Sequence, residues 1–189
     1  MPKKFWDMTI QAPIVERATS YVSEGKALDI GAGEGRNAIY LAQKGFEVYA
    51  IDPDKDALEK IDERRTLEGV TIITSVGTID DIDTNSAYDF IVCNMVLHFL
   101  RSRAEVNRAV SRMKQITRPD GINVIAAYTD KNEPSKRPYL FAHNELRDMY
   151  QDWQIKYYAE KPTLWFQMPD EDKPRRNHAV YLIAQKRYN

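Results

Sequence analysis

Gly31, Gly33 and Gly35 stand at alternate positions just behind Asp29, and Asp52 follows at the end of the next apolar stretch. Without a Cβ, glycines in such a turn let the backbone take positive φ and come close to a ligand. A helix beginning near Gly35 aims unpaired N–H groups and a partial positive charge the same way, so a negative or hydrogen-bond-accepting group is expected there. Asp52 closes the following strand, where a carboxylate accepts both hydroxyl hydrogens of a ribose. The combination points to an adenosine-bearing cofactor. Dinucleotide sites favour G-x-G-x-x-G, but here the spacing is G-x-G-x-G and Arg36 fills the place of the third dinucleotide glycine. That demotes a nicotinamide cofactor without removing it, and a purely structural glycine turn is the other alternative.

These residues need elements to hold them. Lys26–Ile30 is a short apolar strand running into the glycine turn, and Asn37–Lys44 has helical composition ending at Gly45. Phe46–Asp52 alternates as a second strand, followed by a charged amphipathic helix from Asp54 to about Leu67. Val70–Thr74 and Tyr88–Asn94 read as strands and Ala104–Ile116 as a helix. Gly121–Tyr128 reads as a fifth strand after the turn signal Pro119-Asp120-Gly121. Ile10–Val22 reads as an N-terminal helix within a helical segment 1–24. Strands alternating with helices predict parallel βαβ units in a doubly wound, three-layer α/β/α Rossmann-like sandwich. Later, Asn144–Tyr150 reads as a short helix, and Trp153–Glu160 and His178–Lys186 as a closing hairpin. Residues 161–177 between them form a connection long enough to be a lid.

With 189 residues and no Gly-, Ser- or Pro-rich linker, the chain is expected to be one domain, 1–189. A formal net charge of -1 gives no basic field for nucleic acid. One cysteine, Cys93, excludes an internal disulfide and multi-thiolate zinc, and no spaced ligand cluster implies a metal. No run of about 18 apolar residues suits a membrane span, so a cytoplasmic setting is expected, with a monomer or homodimer as the assembly.

Asp29 through Asn37, with Tyr40-Leu41, Gly45 and Asp52, resemble the first two motifs of class I S-adenosylmethionine-dependent methyltransferases. The Gly35-Arg36-Asn37 variant followed by Tyr40-Leu41 resembles the tellurite-resistance (TehB-like) methyltransferases in particular. The similarity continues through Tyr88–Val92, Phe99-Leu100, Phe141-Ala142, Asn144–Leu146, Tyr150 and Asp152-Trp153. It implies S-adenosyl-L-methionine as cofactor and a seven-stranded, mostly parallel sheet whose last strand is antiparallel. By the same resemblance Asp52, with Pro53 behind it, meets the ribose. Asp29, Gly31, Ala32, Gly33, Arg36 and Asn37 gather at the methionine end, and Gly77 and Thr78 lie near the adenine. Two positions depart from the family. Thr78 stands where an acid is common, which shifts the adenine amino contact toward Asp80 or backbone. A His-Arg pair of the family's tail is replaced by Thr163-Leu-Trp-Phe-Gln167.

Methyl transfer from a sulfonium is an in-line displacement with a good leaving group, so the protein mainly orients the acceptor and excludes water. Asn94, closing the fourth strand, is a candidate cofactor contact, and the loop from it to His98 faces the transferring group by topology, making His98 the candidate base. Arg176, in the run Lys173-Pro-Arg-Arg176, is the candidate clamp for an oxyanion such as tellurite, selenite or a carboxylate. Tyr40, Tyr128, Tyr139, Trp165 and Phe166 are candidates to cover the sulfonium, with Trp6 a further one, while Arg137 and His143 flank the exit of the fifth strand. Cys93, inside an apolar strand, reads as core. Alternatives are a nucleobase or protein acceptor and a non-catalytic cofactor-binding module. The Asn-Pro-Pro-Tyr type signature of nucleobase amino methylation is absent at Asn94–Leu97.

Overall fold

A computed structural model describes residues 12–132, 137–163 and 176–188. Seven strands form one sheet: β1 (Lys26–Ile30), β2 (Glu47–Asp52), β3 (Ile72–Val76), β4 (Tyr88–Asn94), β5 (Thr117–Tyr128), β6 (Gln154–Pro162) and β7 (His178–Gln185). Their order is β3-β2-β1-β4-β5-β7-β6. The first five pair in parallel, and β7 inserts antiparallel between β5 and β6.

Helices α1 (Pro13–Ala18), α2 (Arg36–Gln43), α3 (Lys55–Leu67), α4 (Arg103–Ile116) and α5 (Glu145–Asp148) lie between the strands in sequence. Both faces of the central strands are covered, so β4 is buried almost throughout yet still divides its side chains by parity. Phe90 and Val92 join a core with α1, α2 and α3, while Ile91 and Cys93 join one with α4 and α5. Helix starts carry local signals: Asp54 accepts from the Asp56 and Ala57 amides at α3, and Ser102 accepts from the Glu105 amide at α4. Among the described residues no helix is long and apolar enough to cross a membrane.

Several boundaries move. The N-terminal helix covers only Pro13–Ala18 of the expected span, whose first two residues lie outside the described ones. β5 begins at Thr117, so the turn signal Pro119-Asp120-Gly121 is a bulge within a strand. There Asp120 takes φ 61°, its amide donates to the Lys186 carbonyl, and the Lys186 amide donates to that of Gly121. Lys161 and Pro162, expected in a lid loop, are the last residues of β6, and 164–175 lie outside the described residues. The stem of that connection is zipped: the Thr163 amide donates to the Asn177 carbonyl at 2.7 Å, and the Asn177 amide to Thr163 Oγ1 at 3.1 Å.

Candidate functional site

β1 ends in a turn whose three glycines all have positive φ, 66° at Gly31, 53° at Gly33 and 80° at Gly35. Two of them are required sterically as well. A Cβ on Gly31 would lie 2.4 Å from Val96 Cγ2, and one on Gly35 would lie 2.7 Å from Ile61 Cγ1. The turn uses its amides internally, since Gly31 and Ala32 donate to the Ile51 carbonyl and Gly35 to that of Ala32. The Gly33 amide donates to Asp52 Oδ2 at 2.8 Å and the Asp54 amide to Asp52 Oδ1 at 2.8 Å. Each Asp52 oxygen therefore has one fixed amide and lone-pair capacity left for a hydroxyl.

Asp29 decides what sits behind the turn. It is fully buried and accepts the Ala38 amide in the first turn of α2, so the helix N-terminus is already occupied by the protein's own carboxylate. Through the Ala38 amide part of the negative group expected of a ligand is supplied from within, so a pyrophosphate there would face a buried carboxylate. The other oxygen, Oδ2, is buried with no hydrogen-bond partner among the described residues. Burial raises the Asp29 carboxyl to about 7, against the pull of the Arg36 charge. An orphaned carboxylate oxygen of this kind fits a cationic donor such as an ammonium.

A cavity of about 360 Å³ opens on the same edge of the sheet. Of the positions expected to hold the cofactor, Gly31, Asp52, Pro53, Gly77 and Thr78 line it, and Asn94 lies between two lining residues, Cys93 and Met95. Ala32, Gly33, Arg36 and Asn37 belong to the turn and helix behind. Asn37 Oδ1 accepts the Ala12 amide at 2.9 Å, latching the N-terminal segment to α2. Thr78 caps a single 3-10 turn at Ile79–Asp81, in a reciprocal box with Asp81. Asp80 instead receives both Arg108 Nε and Nη2, at 3.2 and 3.1 Å.

Sequence reasoning missed the apolar walls, among them Ile79, Leu97, Leu100 and Met113. They form a slot suited to a flat, weakly polar ring. Nothing but hydrophobicity marks them, and every helix and strand shares that signal.

His98 lies 1% exposed in a 3-10 turn, Leu97–Phe99, between the rings of Phe99 and Tyr128 at 4.6 and 4.3 Å. The Tyr128 amide donates to its Nδ1 at 3.4 Å, so the neutral ring carries its proton on Nε2. Burial, with the Arg137 charge, pushes it down to about 3. Arg137 itself lies over Phe99 and Tyr128. Arg176 stands at the loop stem, its Nε donating to the Thr163 carbonyl at 3.0 Å. Of the other candidates, Tyr40 packs beside α1, His143 pairs with Glu160, and Cys93 is buried, which raises its thiol. Lys173, Trp165, Phe166 and Trp6 lie outside the described residues.

Comparison with known proteins follows the same geometry. A family profile described as "Tellurite resistance protein TehB" matches residues 2–173. A curated relative from Haemophilus influenzae, a "Probable S-adenosyl-L-methionine-dependent methyltransferase TehB", is 33% identical over 161 residues, 84% of this chain and 56% of that protein. The crystal structure of TehB from Haemophilus influenzae superposes with TM-score 0.84 at 30% identity, covering 94% of this chain and 63% of that one. A Burkholderia thailandensis 1,6-didemethyltoxoflavin-N1-methyltransferase with bound S-adenosylhomocysteine shares the fold, with TM-score 0.72 at 18% identity over 93% of this chain and 77% of that one. The chain spans between 56% and 60% of the length of the first curated relatives it matches. Turn, paired aspartates, strand order and profile agree: the chain belongs to the tellurite resistance protein TehB family, within the class I S-adenosylmethionine-dependent methyltransferases.

Proposed function

We propose that this chain transfers the methyl group of S-adenosylmethionine to a small nucleophile, a chalcogen oxyanion such as tellurite or selenite, in the cytoplasm. One observation carries the cofactor half: a buried Asp29 oxygen without a partner among the described residues, set behind a glycine turn whose amides are already engaged and beside Asp52 at the cavity wall. A pyrophosphate would be repelled by a buried carboxylate at the start of α2, whereas an amino acid ammonium pairs with it. When bound, the cofactor supplies a methyl group on a sulfonium, an electrophile that needs no further activation.

The residues then have separate tasks. Asp52 holds the ribose hydroxyls, Asp29 the ammonium with Arg36 balancing the charge, and the slot of Ile79 and Met113 the adenine. The turn from Asn94 to Phe99 holds the acceptor's side of the cavity and keeps water out. Support for the oxyanion acceptor comes from the family description and from a buried, neutral His98 unsuited to remove a proton.

Calorimetric titration with S-adenosylmethionine, S-adenosylhomocysteine and NADH tests the first half. Saturable binding of the two adenosyl ligands alone is expected, and binding of NADH alone or of none would overturn it. Methyl transfer from labelled cofactor to selenite and tellurite tests the second half. Cofactor binding without transfer across these, thiols and thiopurines would make the chain a binding module.

A further inference from the structure

We infer that Arg137, held over Tyr128 and over Phe99, a wall of the cavity, recognises the acceptor as an anion whose reacting lone pair is already free. This rests on the methyl-transfer reading above and names what that site selects. The guanidinium carbon lies 4.7 Å from the Phe99 ring centroid and 5.3 Å from that of Tyr128. Phe99 is 55% exposed and lines the cavity, so the charge stands within a side chain's reach of it. Stacking on ring faces holds a guanidinium plane while its N–H edges stay available to a bidentate oxyanion.

Among the described residues Arg137 also lacks the carboxylate partner that other arginines have. Arg103, Arg108 and Arg118 are each paired with a carboxylate, to Glu145, Asp80 and Asp89. Among the described residues no carboxylate stands within ion-pair distance of Arg137. The segment that carries it is anchored, since the Tyr139 amide donates to the His98 carbonyl and the Phe141 amide to that of Tyr128 at 3.0 Å. It thus runs across the carboxyl ends of β4 and β5, on the edge that holds the glycine turn.

Among the described residues no lining side chain offers a base. The ionisable ones around the cavity are Asp52, bound to two backbone amides, and Cys93, a buried thiol held protonated. His98, below Phe99, presents an Nε2 proton and can only donate. Among the described residues, an acceptor that must lose a proton therefore finds no side chain lining the cavity to take it. An oxyanion of selenium or tellurium needs none: its lone pair forms the bond to the methyl carbon as the S–CH3 bond breaks, and that bond's pair stays on sulfur. The acceptor loses one negative charge and the sulfonium its positive one.

The test titrates selenite and tellurite into protein saturated with S-adenosylhomocysteine, for the native chain, Arg137→Gln and Arg137→Lys. Expected is at least a tenfold loss of selenite affinity in Arg137→Gln, partial recovery in Arg137→Lys, and S-adenosylhomocysteine affinity within twofold throughout. In turnover KM for selenite rises at least tenfold while kcat changes less than threefold. Native selenite affinity in Arg137→Gln overturns the inference and leaves methyl transfer standing. A parallel arm compares mercaptoacetate with 2-mercaptoethanol. Arg137-dependent binding of mercaptoacetate without binding of either oxyanion overturns the inference, because its thiol still carries a proton that must be removed. Preference for the neutral thiol overturns the inference.

Discussion

Asp29 costs the fold stability where it is ionised, because one of its oxygens is buried without a partner among the described residues. Its carboxyl sits at about 7 in the folded chain against about 3.9 when unfolded, so the stability tied to its proton is whole below about pH 3.9 and lost as pH rises through 7. We expect Asp29→Asn to raise the melting temperature of the ligand-free protein at pH 8, on the order of 3 °C or more, while weakening S-adenosylmethionine binding at least tenfold. Cofactor affinity of the native chain should fall roughly tenfold per pH unit below about pH 6, because the ammonium needs the ionised carboxylate. Calorimetry in buffers of different ionisation enthalpy would detect the released proton, and a flat profile would contradict the assignment. Asp52→Ala should cost about 1 to 3 kcal/mol of cofactor binding by leaving the ribose hydroxyls unmatched. His98 has the opposite sign. Its neutral form is required in the fold, so its contribution is whole above pH 6.5 and erodes as pH falls toward 3. At pH 5.5 the cost is about 1.4 kcal/mol, and chemical denaturation of a His98→Gln variant should show a shallower acid slope than the native chain.

The strand–turn–helix unit at β1 and α2 depends on two glycines for different reasons. Gly35 begins α2 at φ 80° and faces Ile61 of α3, so a methyl group there strains the backbone and pushes two helices apart. We expect Gly35→Ala to destabilise by about 2 to 4 kcal/mol, read from urea midpoints. Gly31→Ala instead drives Val96 aside, and Val96 lines the cavity. Its signature should be a larger loss of cofactor affinity than of stability, and the reverse order would mean that the turn serves packing only. Parity explains why β4 was legible as a strand although it reads as an apolar run, since successive side chains feed two different cores. Pro119-Asp120-Gly121 was misleading because bulge and turn ask for the same residues. Only the pairing with Lys186, just past the end of β7, distinguishes them.

Across the whole molecule, the parallel half builds the edge that holds the cavity and the β6–β7 hairpin completes the sheet beyond β5. The segment between β5 and β6 then lies over the end of β4, and brings Tyr139 and Phe141 to His98 and Tyr128. Because the cavity is walled by the β1 turn, the β4 loop and α4, a ligand in it ties together elements that are far apart in the chain. S-adenosylhomocysteine at about 100 times its Kd should stabilise the fold by about 2.7 kcal/mol, a rise of about 5 to 10 °C for a chain of this size. Hydrogen exchange should slow most at the β1 turn and at Met95–Leu100, and protection confined to the β6–β7 hairpin would place the ligand elsewhere.

The amino-acid sequence by itself determined the alternation of strands and helices, the glycine turn, and the two aspartates that flank it. These are local facts: period, turn chemistry and the spacing from Gly35 to Asp52 are complete within one βαβ unit. Tertiary structure alone decided that Asp29 caps α2 and keeps one oxygen orphaned, for that follows from how the helix packs back on its own strand. It also decided that His98 is a stacked, neutral donor and that Arg137 stands over Phe99, with α4 and β5 between them in the chain. Such pairings have no local signature, because burial and the field of a distant charge exist only once the segments that create them have met.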